Sequence, residues 1–133
     1  MKLCHVLLLS LLPAVGGANS FERTFGGAAD DFGYSALVCP DGYLLCGWTY
    51  SFGSGDANLF LVRTDELGDT VWTRTYGAQS AEDNGLKVKP TLDTGFVVAG
   101  YSVRSGRANM MLTKIDARGE SLWSREYGGS LDD

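Results

Sequence analysis

The sequence predicts an all-β protein built of repeated four-stranded antiparallel units, and three observations carry that expectation. Past residue 20 no stretch spaces its apolar side chains at the 3.6-residue interval that an amphipathic helix requires. Glycine supplies 18 of 133 residues against only 3 prolines, twice the usual glycine share of ~7%, which suits many tight turns and neither collagen nor a proline-rich linker. Finally, Phe21-Glu22-Arg23-Thr24-Phe25-Gly26-Gly27, Trp72-Thr73-Arg74-Thr75-Tyr76-Gly77-Ala78 and Trp123-Ser124-Arg125-Glu126-Tyr127-Gly128-Gly129 recur at intervals of 51 residues. Residues 54–77 and the stretch 51 positions on share 11 of 24 residues, among them Asn58/Asn109, Asp65/Asp116 and Gly68/Gly119. That is far beyond what unrelated segments share, so the repeat organises the rest of the reading.

The elements follow in chain order. Met1 and Lys2 precede an apolar run over residues 6–15, and the small residues Gly16, Gly17 and Ala18 follow it. This is the layout of a secretory signal peptide covering residues 1–20, with cleavage after Ala18 or Ser20. The run is too short for a transmembrane helix, which needs ~20 apolar residues. Residues 21–133 are then the repeat region. An incomplete unit covers residues 21–33, its strand at 21–25. A complete unit covers residues 34–76, with strands at 34–39, 43–49, 59–64 and 71–76. Its first two strands are joined by Pro40-Asp41-Gly42, where proline presets φ and glycine accepts a positive φ. Asp65-Glu66-Leu67-Gly68 joins the last two, with Gly68 in the left-handed position of a short hairpin loop. A second complete unit covers residues 85–127, and residues 128–133 open a third.

Four strands in ~50 residues, repeated, is the pattern of a β-propeller blade. Propellers close with 4–8 blades, so two complete blades leave sheet faces to be covered. The expectation is a part of a longer array, the missing blades being its partners. The alternative is a homo-oligomer, for example a trimer of two-blade chains closing one ring. The series Trp-x-x-x-[Tyr/Phe]-Gly-Gly, an acidic pair, Asp-Gly-Tyr-x-x-x-Gly, Ser-x-Gly, Asp-x-x-Gly and Trp spans nearly all of residues 21–133. It resembles the secreted tandem propeller-like repeats found in many bacterial and archaeal cell-surface proteins. Its Asp-x-x-Gly-x-x-x-Trp portion is also similar to a blade of the PQQ-type propellers. The resemblance implies the fold and an extracellular, cell-surface or periplasmic location, and brings with it no activity, cofactor or catalytic residue. Ala78, Thr94 and Phe21 depart from the pattern, which has glycine, glycine and tryptophan there.

An antiparallel meander sends the connections between units, and those between second and third strands, to the same end of the sheet. The acidic pairs Asp30-Asp31, Glu82-Asp83 and Asp132-Asp133 thereby join Trp48, Tyr50, Phe52 and Asp56 of the first unit and Tyr101, Arg104 and Arg107 of the second. Aromatic faces beside carboxylates suit a saccharide, its C–H groups on the rings and its hydroxyls on the acids. The ligand-binding candidates are Trp48, Tyr50, Asp56, Tyr101, Asp30, Asp31, Glu82 and Asp83. The plainer reading makes the acids solvated turn residues and the aromatics cover for blade edges. The acidic pairs lack the spacing of a calcium loop, and no metal site is expected.

Arg23, Arg74 and Arg125 alternate with aromatics, as in Trp72-Arg74-Tyr76 and Trp123-Arg125-Tyr127, which puts each triplet on one strand face. They read as structural ties between neighbouring strands or blades. Cys39 and Cys46 are placed by the sequence opposite Leu44 and Leu37, a register that opposes a disulfide. Export removes His5, the one histidine, and with it the Ser-His and Cys-His nucleophile pairs and His-containing zinc sites. No phosphate-binding glycine motif is present, and a formal net charge of -5 provides no footprint for nucleic acid. No cofactor, nucleic-acid partner or membrane insertion is expected. The expected function is that of a secreted, non-enzymatic structural or interaction module, with a lectin-like carbohydrate-binding protein as the alternative.

Overall fold

The structure is a computed structural model and describes residues 20–54 and 56–130. Residues 1–19 of the expected signal peptide and the pair Asp132-Asp133 lie outside the described residues. The described chain forms eight strands: β1 (Asp31–Cys39), β2 (Gly42–Thr49), β3 (Asn58–Thr64), β4 (Thr70–Tyr76), β5 (Ala81–Pro90), β6 (Phe96–Arg104), β7 (Arg107–Ile115) and β8 (Ser121–Tyr127). They make two four-stranded sheets, ordered β1-β2-β3-β4 and β5-β6-β7-β8, with every neighbouring pair antiparallel. Among the described residues there is no helix.

The strands start earlier than the sequence pattern indicates in two places, β1 at Asp31 and β5 at Ala81. Both are carried past a break in register, between Gly33 and Ser35 in one and Gly85 and Lys87 in the other. A bulge resets the alternation of side chains, so a strict period-2 reading stops where the bulge begins. The short connection between β1 and β2 corrects the register expected for the cysteines. Cys39 lies opposite Gly42, Leu37 opposite Leu44 and Cys46 opposite Ser35, because only Pro40 and Asp41 form the loop. Both thiols are free, and burial pushes the Cys46 thiol up to about 12.

The core lies between the sheets. Leu44, Cys46, Leu59 and Leu61 from the first face Val88, Phe96, Val98, Met111 and Ile115 from the second, all buried, with Trp72 and Tyr76 of β4 packed at the margin. Strand β5 runs against β1, β2 and β3. Gly85 makes this approach possible, since a Cβ there would collide with Leu59 Cδ1 and crowd Cys46 Sγ. Its counterpart in the first sheet, Gly33, has none of the described residues within 4 Å of the same position.

The hairpin turns are built twice on one plan. Asp65 accepts hydrogen bonds from the amides of Leu67 and Asp69 (2.9 Å each), and Asp116 from those of Arg118 (2.8 Å) and Glu120 (2.9 Å). Gly68 and Gly119 take φ of 81° and 82°, the left-handed region open to glycine at little cost. Thr94 occupies the same region with φ 65°, where its branched Cβ is strained.

Two measurements check this packing. Gly85→Val overpacks the interface and lowers unfolding free energy by about 1–3 kcal/mol in urea titration, whereas Gly33→Val leaves the isolated chain's stability unchanged within ~0.5 kcal/mol. Thr94→Gly relieves the strained turn and raises stability by about 1 kcal/mol, read as an increase in urea midpoint at constant slope.

Candidate functional site

At the end of the sheets nominated by the sequence, loops are held together by main-chain bonds. Tyr50 N donates to Asp30 O at 3.0 Å and Asp83 N to Ala57 O at 2.8 Å. These bonds gather Asp30, Asp31, Trp48 and Tyr50 of the first sheet into one cluster. Phe32, directly across from Trp48 in the ladder, stacks on it with ring centroids 4.3 Å apart, and Tyr50 meets the indole edge-on at 5.2 Å. Phe32 and Tyr50 are more than two-fifths exposed, so the cluster presents aromatic surface to solvent.

The carboxylates beside it are not equally available. Asp31 accepts from Thr49 Oγ1, Ser51 Oγ (2.7 Å) and the Gly27 amide (2.8 Å). Burial pushes its carboxyl up, but the bonds from Thr49, Gly27 and Ser51 outweigh that and hold it below the ordinary value. Asp83 repeats the arrangement, accepting the Ala78 amide at 3.0 Å. It is buried, and its second oxygen has no hydrogen-bond donor but lies 3.9 Å from the Arg104 guanidinium. The second acid of each described pair therefore caps the turn that enters its sheet. Asp30 and Glu82 are exposed.

The remaining candidates are scattered. Asp56 and Glu82 share a shallow depression with Ser80 and Ser105, whose lining includes none of Phe32, Trp48 and Tyr50. Tyr101 stands in β6 opposite Asn84 and Met110, away from both. Arg104 is tied to Glu126 by a 2.8 Å bond from Nε, and that bond raises its pKa.

The recurring triplets contact the next turn along the chain. Arg23 pairs with Asp69 at 3.4 Å and Arg74 with Glu120 at 3.3 Å, a separation of 46 residues both times. The Phe21 ring lies against Gly68 and the Trp72 ring against Gly119, close enough that a Cβ on either glycine would strike it. Tyr76 Oη donates to Gly119 O at 2.6 Å, and burial raises the phenol's pKa. Trp123, Arg125 and Tyr127 have no such turn before them among the described residues: Arg125 lies over its own Trp123 ring at 5.7 Å, and Trp123 and Tyr127 are 41% and 48% exposed.

Sequence reasoning passed over Arg63 and Lys114, buried cations 51 residues apart near the ends of β3 and β7. Arg63 donates to the carbonyls of Tyr43 (3.0 Å) and Thr64 (2.7 Å) and pairs with Asp41. Lys114 donates to Ile115 O (3.2 Å) and pairs with Asp93 at 3.0 Å. Bonds from Thr91 and Lys114 pull the Asp93 carboxyl down to about 2. A basic residue recurring near the ends of two strands was the available signal. A cleft of about 710 Å³ was also missed. It opens at the opposite end, between the sheets, with Leu37, Val38, Trp72 and Phe96 on its walls and Arg63 and Arg118 at its polar positions. No sequence feature announces a gap between two sheets.

Among the described residues no three Asp, Glu, Cys or His side chains converge as a cation would require. What the aromatic cluster can do is stack on a flat apolar ligand face while Asp30 offers an acceptor. Comparison with protein-family models matches none, and comparison with curated proteins finds no match.

Two outcomes test these assignments. Asp31, Asp93 and Asp116 all have depressed carboxyl pKa values, so their stabilisation is present above the unfolded value near 3.8 and lost as pH falls toward about 2. Urea titrations from pH 7 to 2 therefore give flat stability to ~pH 5 and a decline below ~pH 4, and Asp93→Asn reduces the slope of that decline. Tyr76→Phe removes the bond to Gly119 O and costs about 0.5–1.5 kcal/mol with no change in far-ultraviolet circular dichroism.

Proposed function

We propose that the protein is an exported, non-enzymatic interaction module of propeller type, in which each four-stranded sheet is a blade that stacks on further copies of the same unit. One observation carries the reading: the residues that recur at 51-residue spacing are used to seat one sheet on the turn of the next, as Trp72, Arg74 and Tyr76 are on Gly119 and Glu120. The recurring acids support it, because Asp31, Asp65, Asp83 and Asp116 are occupied with turn amides and leave little free for acid–base chemistry. The leader-like residues 1–20 support an activity outside the cytoplasm, secreted, at the cell surface or in the periplasm.

Export is tested by intact mass: the chain recovered outside the cytoplasm has lost residues 1–18 or 1–20, and a full-length intracellular chain overturns the reading. Carbohydrate binding is the second reading, favoured by the exposed stack of Phe32, Trp48 and Tyr50. On a glycan array Trp48→Ala then abolishes binding with the fold retained; an unchanged signal removes this reading.

A further inference from the structure

The two sheets carry the same apolar face, but only one of the two is covered. In the first sheet Leu44, Cys46, Leu59 and Leu61 are at most 1% exposed beneath the second sheet. The ladders place Val97, Ala99, Met110 and Leu112 at the counterpart positions of the second sheet, alongside Tyr101, Trp123, Arg125 and Tyr127. There Ala99 is exposed, Met110 is 59% exposed, and Val97 and Leu112 are only partly buried. An apolar face of this kind on a soluble sheet marks an interaction surface.

The matching receptor is on the far face of the first sheet. Gly85 admits Leu59 and Cys46 into the interface within the chain. Gly33, its counterpart, borders a hollow of about 200 Å³ walled by Phe25, Leu45, Phe60 and Val62, and none of the described residues fills the space at its missing Cβ. The counterparts of Leu59 and Cys46 are Met110 and Ala99, on the exposed face. The turn at Gly68 and Asp69 is held meanwhile by Phe21 and Arg23, whose segment forms no strand ladder. Its hold on that turn is ring contact and an exposed ion pair, and such pairs contribute little.

We propose that the exposed face of the second sheet docks on the first sheet of a second copy of this chain, Met110 and Ala99 entering the hollow at Gly33 while Trp123, Arg125 and Tyr127 replace Phe21, Arg23 and Phe25 on the Gly68 turn. Arg125 then pairs with Asp69, and Tyr127 Oη donates to Gly68 O as Tyr76 does to Gly119 O. The exchange favours association because an indole covers more of the glycine turn than the Phe21 ring and because Tyr127 has the hydroxyl that Phe25 lacks. Two different patches meet, so the contact is head-to-tail and propagates to a ring or a filament. The inference rests on the stacking reading above and assigns its partner and its residues.

The experiment is light scattering of the full chain after size exclusion over a range of concentrations, with tryptophan emission recorded in parallel. The expected result is concentration-dependent association with a blue shift as Trp123 is covered. Phe21→Ala, which vacates the turn, strengthens association. Gly33→Val fills the hollow without touching the chain's own contacts and weakens association more than tenfold; Trp123→Ala does so by ~30-fold, as for a central interface aromatic. Arg125→Glu and Asp69→Lys each weaken it alone and restore it when mixed. A chain that stays monomeric with Phe21→Ala overturns the proposal, as does association indifferent to Gly33→Val and Trp123→Ala. Either result leaves intact mass and glycan binding untouched, so a failure here is distinct from a failure of export or of ligand binding.

Discussion

Everything in this molecule depends on burying one face of a four-stranded sheet that cannot bury it alone. A meander of four short strands satisfies its own internal ladder but leaves an apolar face, and only a second layer removes that face from water. Strand β5 provides the layer by lying across β1 to β3, and Gly85 sets how closely it comes. At roughly 25 cal/mol per Å² of apolar surface removed from water, the nine buried side chains of the core outweigh any of the surface ion pairs, each of which is worth ~1 kcal/mol at most. Arg74 with Glu120 therefore orients the contact rather than holding it.

The polar groups serve the same packing. A hairpin turn brought against a neighbouring ring must present a flat surface, and Asp65 and Asp116 flatten it by gathering their own turn amides. Gly68 and Gly119 then offer bare backbone on which an aromatic can rest. Arg63 and Lys114 lie beneath this surface and tie the end of β3 or β7 to the preceding hairpin loop through Asp41 or Asp93. Arginine reaches two carbonyls and the carboxylate, whereas lysine reaches one carbonyl and the carboxylate, in keeping with the wider fork of the guanidinium.

The strands and their order were legible because alternation and turn residues are local properties. Asp65-Glu66-Leu67-Gly68 announces its hairpin in four residues, and Trp72-Arg74-Tyr76 announces a shared face by period alone. Gly33 and Gly85 were not legible as bulges, since a glycine in a strand pattern looks the same whether it interrupts the ladder or admits a neighbour. The cysteine register failed for a different reason, the shortness of the Pro40-Asp41 loop. Of the candidate site, the grouping of Asp30, Asp31, Trp48 and Tyr50 could be read from topology. The occupation of Asp31 and Asp83 by turn amides could not, because it depends on where Gly27 and Ala78 fold back. Tyr101 was grouped with them by analogy to Trp48, yet among the described residues its face of the second sheet carries no layer equivalent to β5.

The differences between the two faces are as informative as their likeness. Met110, Ala99 and Val97 stand where the first sheet has Leu59, Cys46 and Leu44, so the exposed face keeps apolar character with different side-chain volumes. A face with no docking role would gain from polar residues at these positions, because period-2 alternation costs nothing when one side meets water. Methionine is the apolar residue best suited to a surface that is wet at one time and packed at another, since its unbranched chain adapts to an imperfect fit. Trp123 retains the indole that Trp72 uses, where Phe21 at the opposite end has the smaller ring. Residues 21–25 hold the Gly68 turn by ring contact and an exposed ion pair, and β8 carries a fuller copy of that surface, which is the asymmetry on which the proposed docking rests.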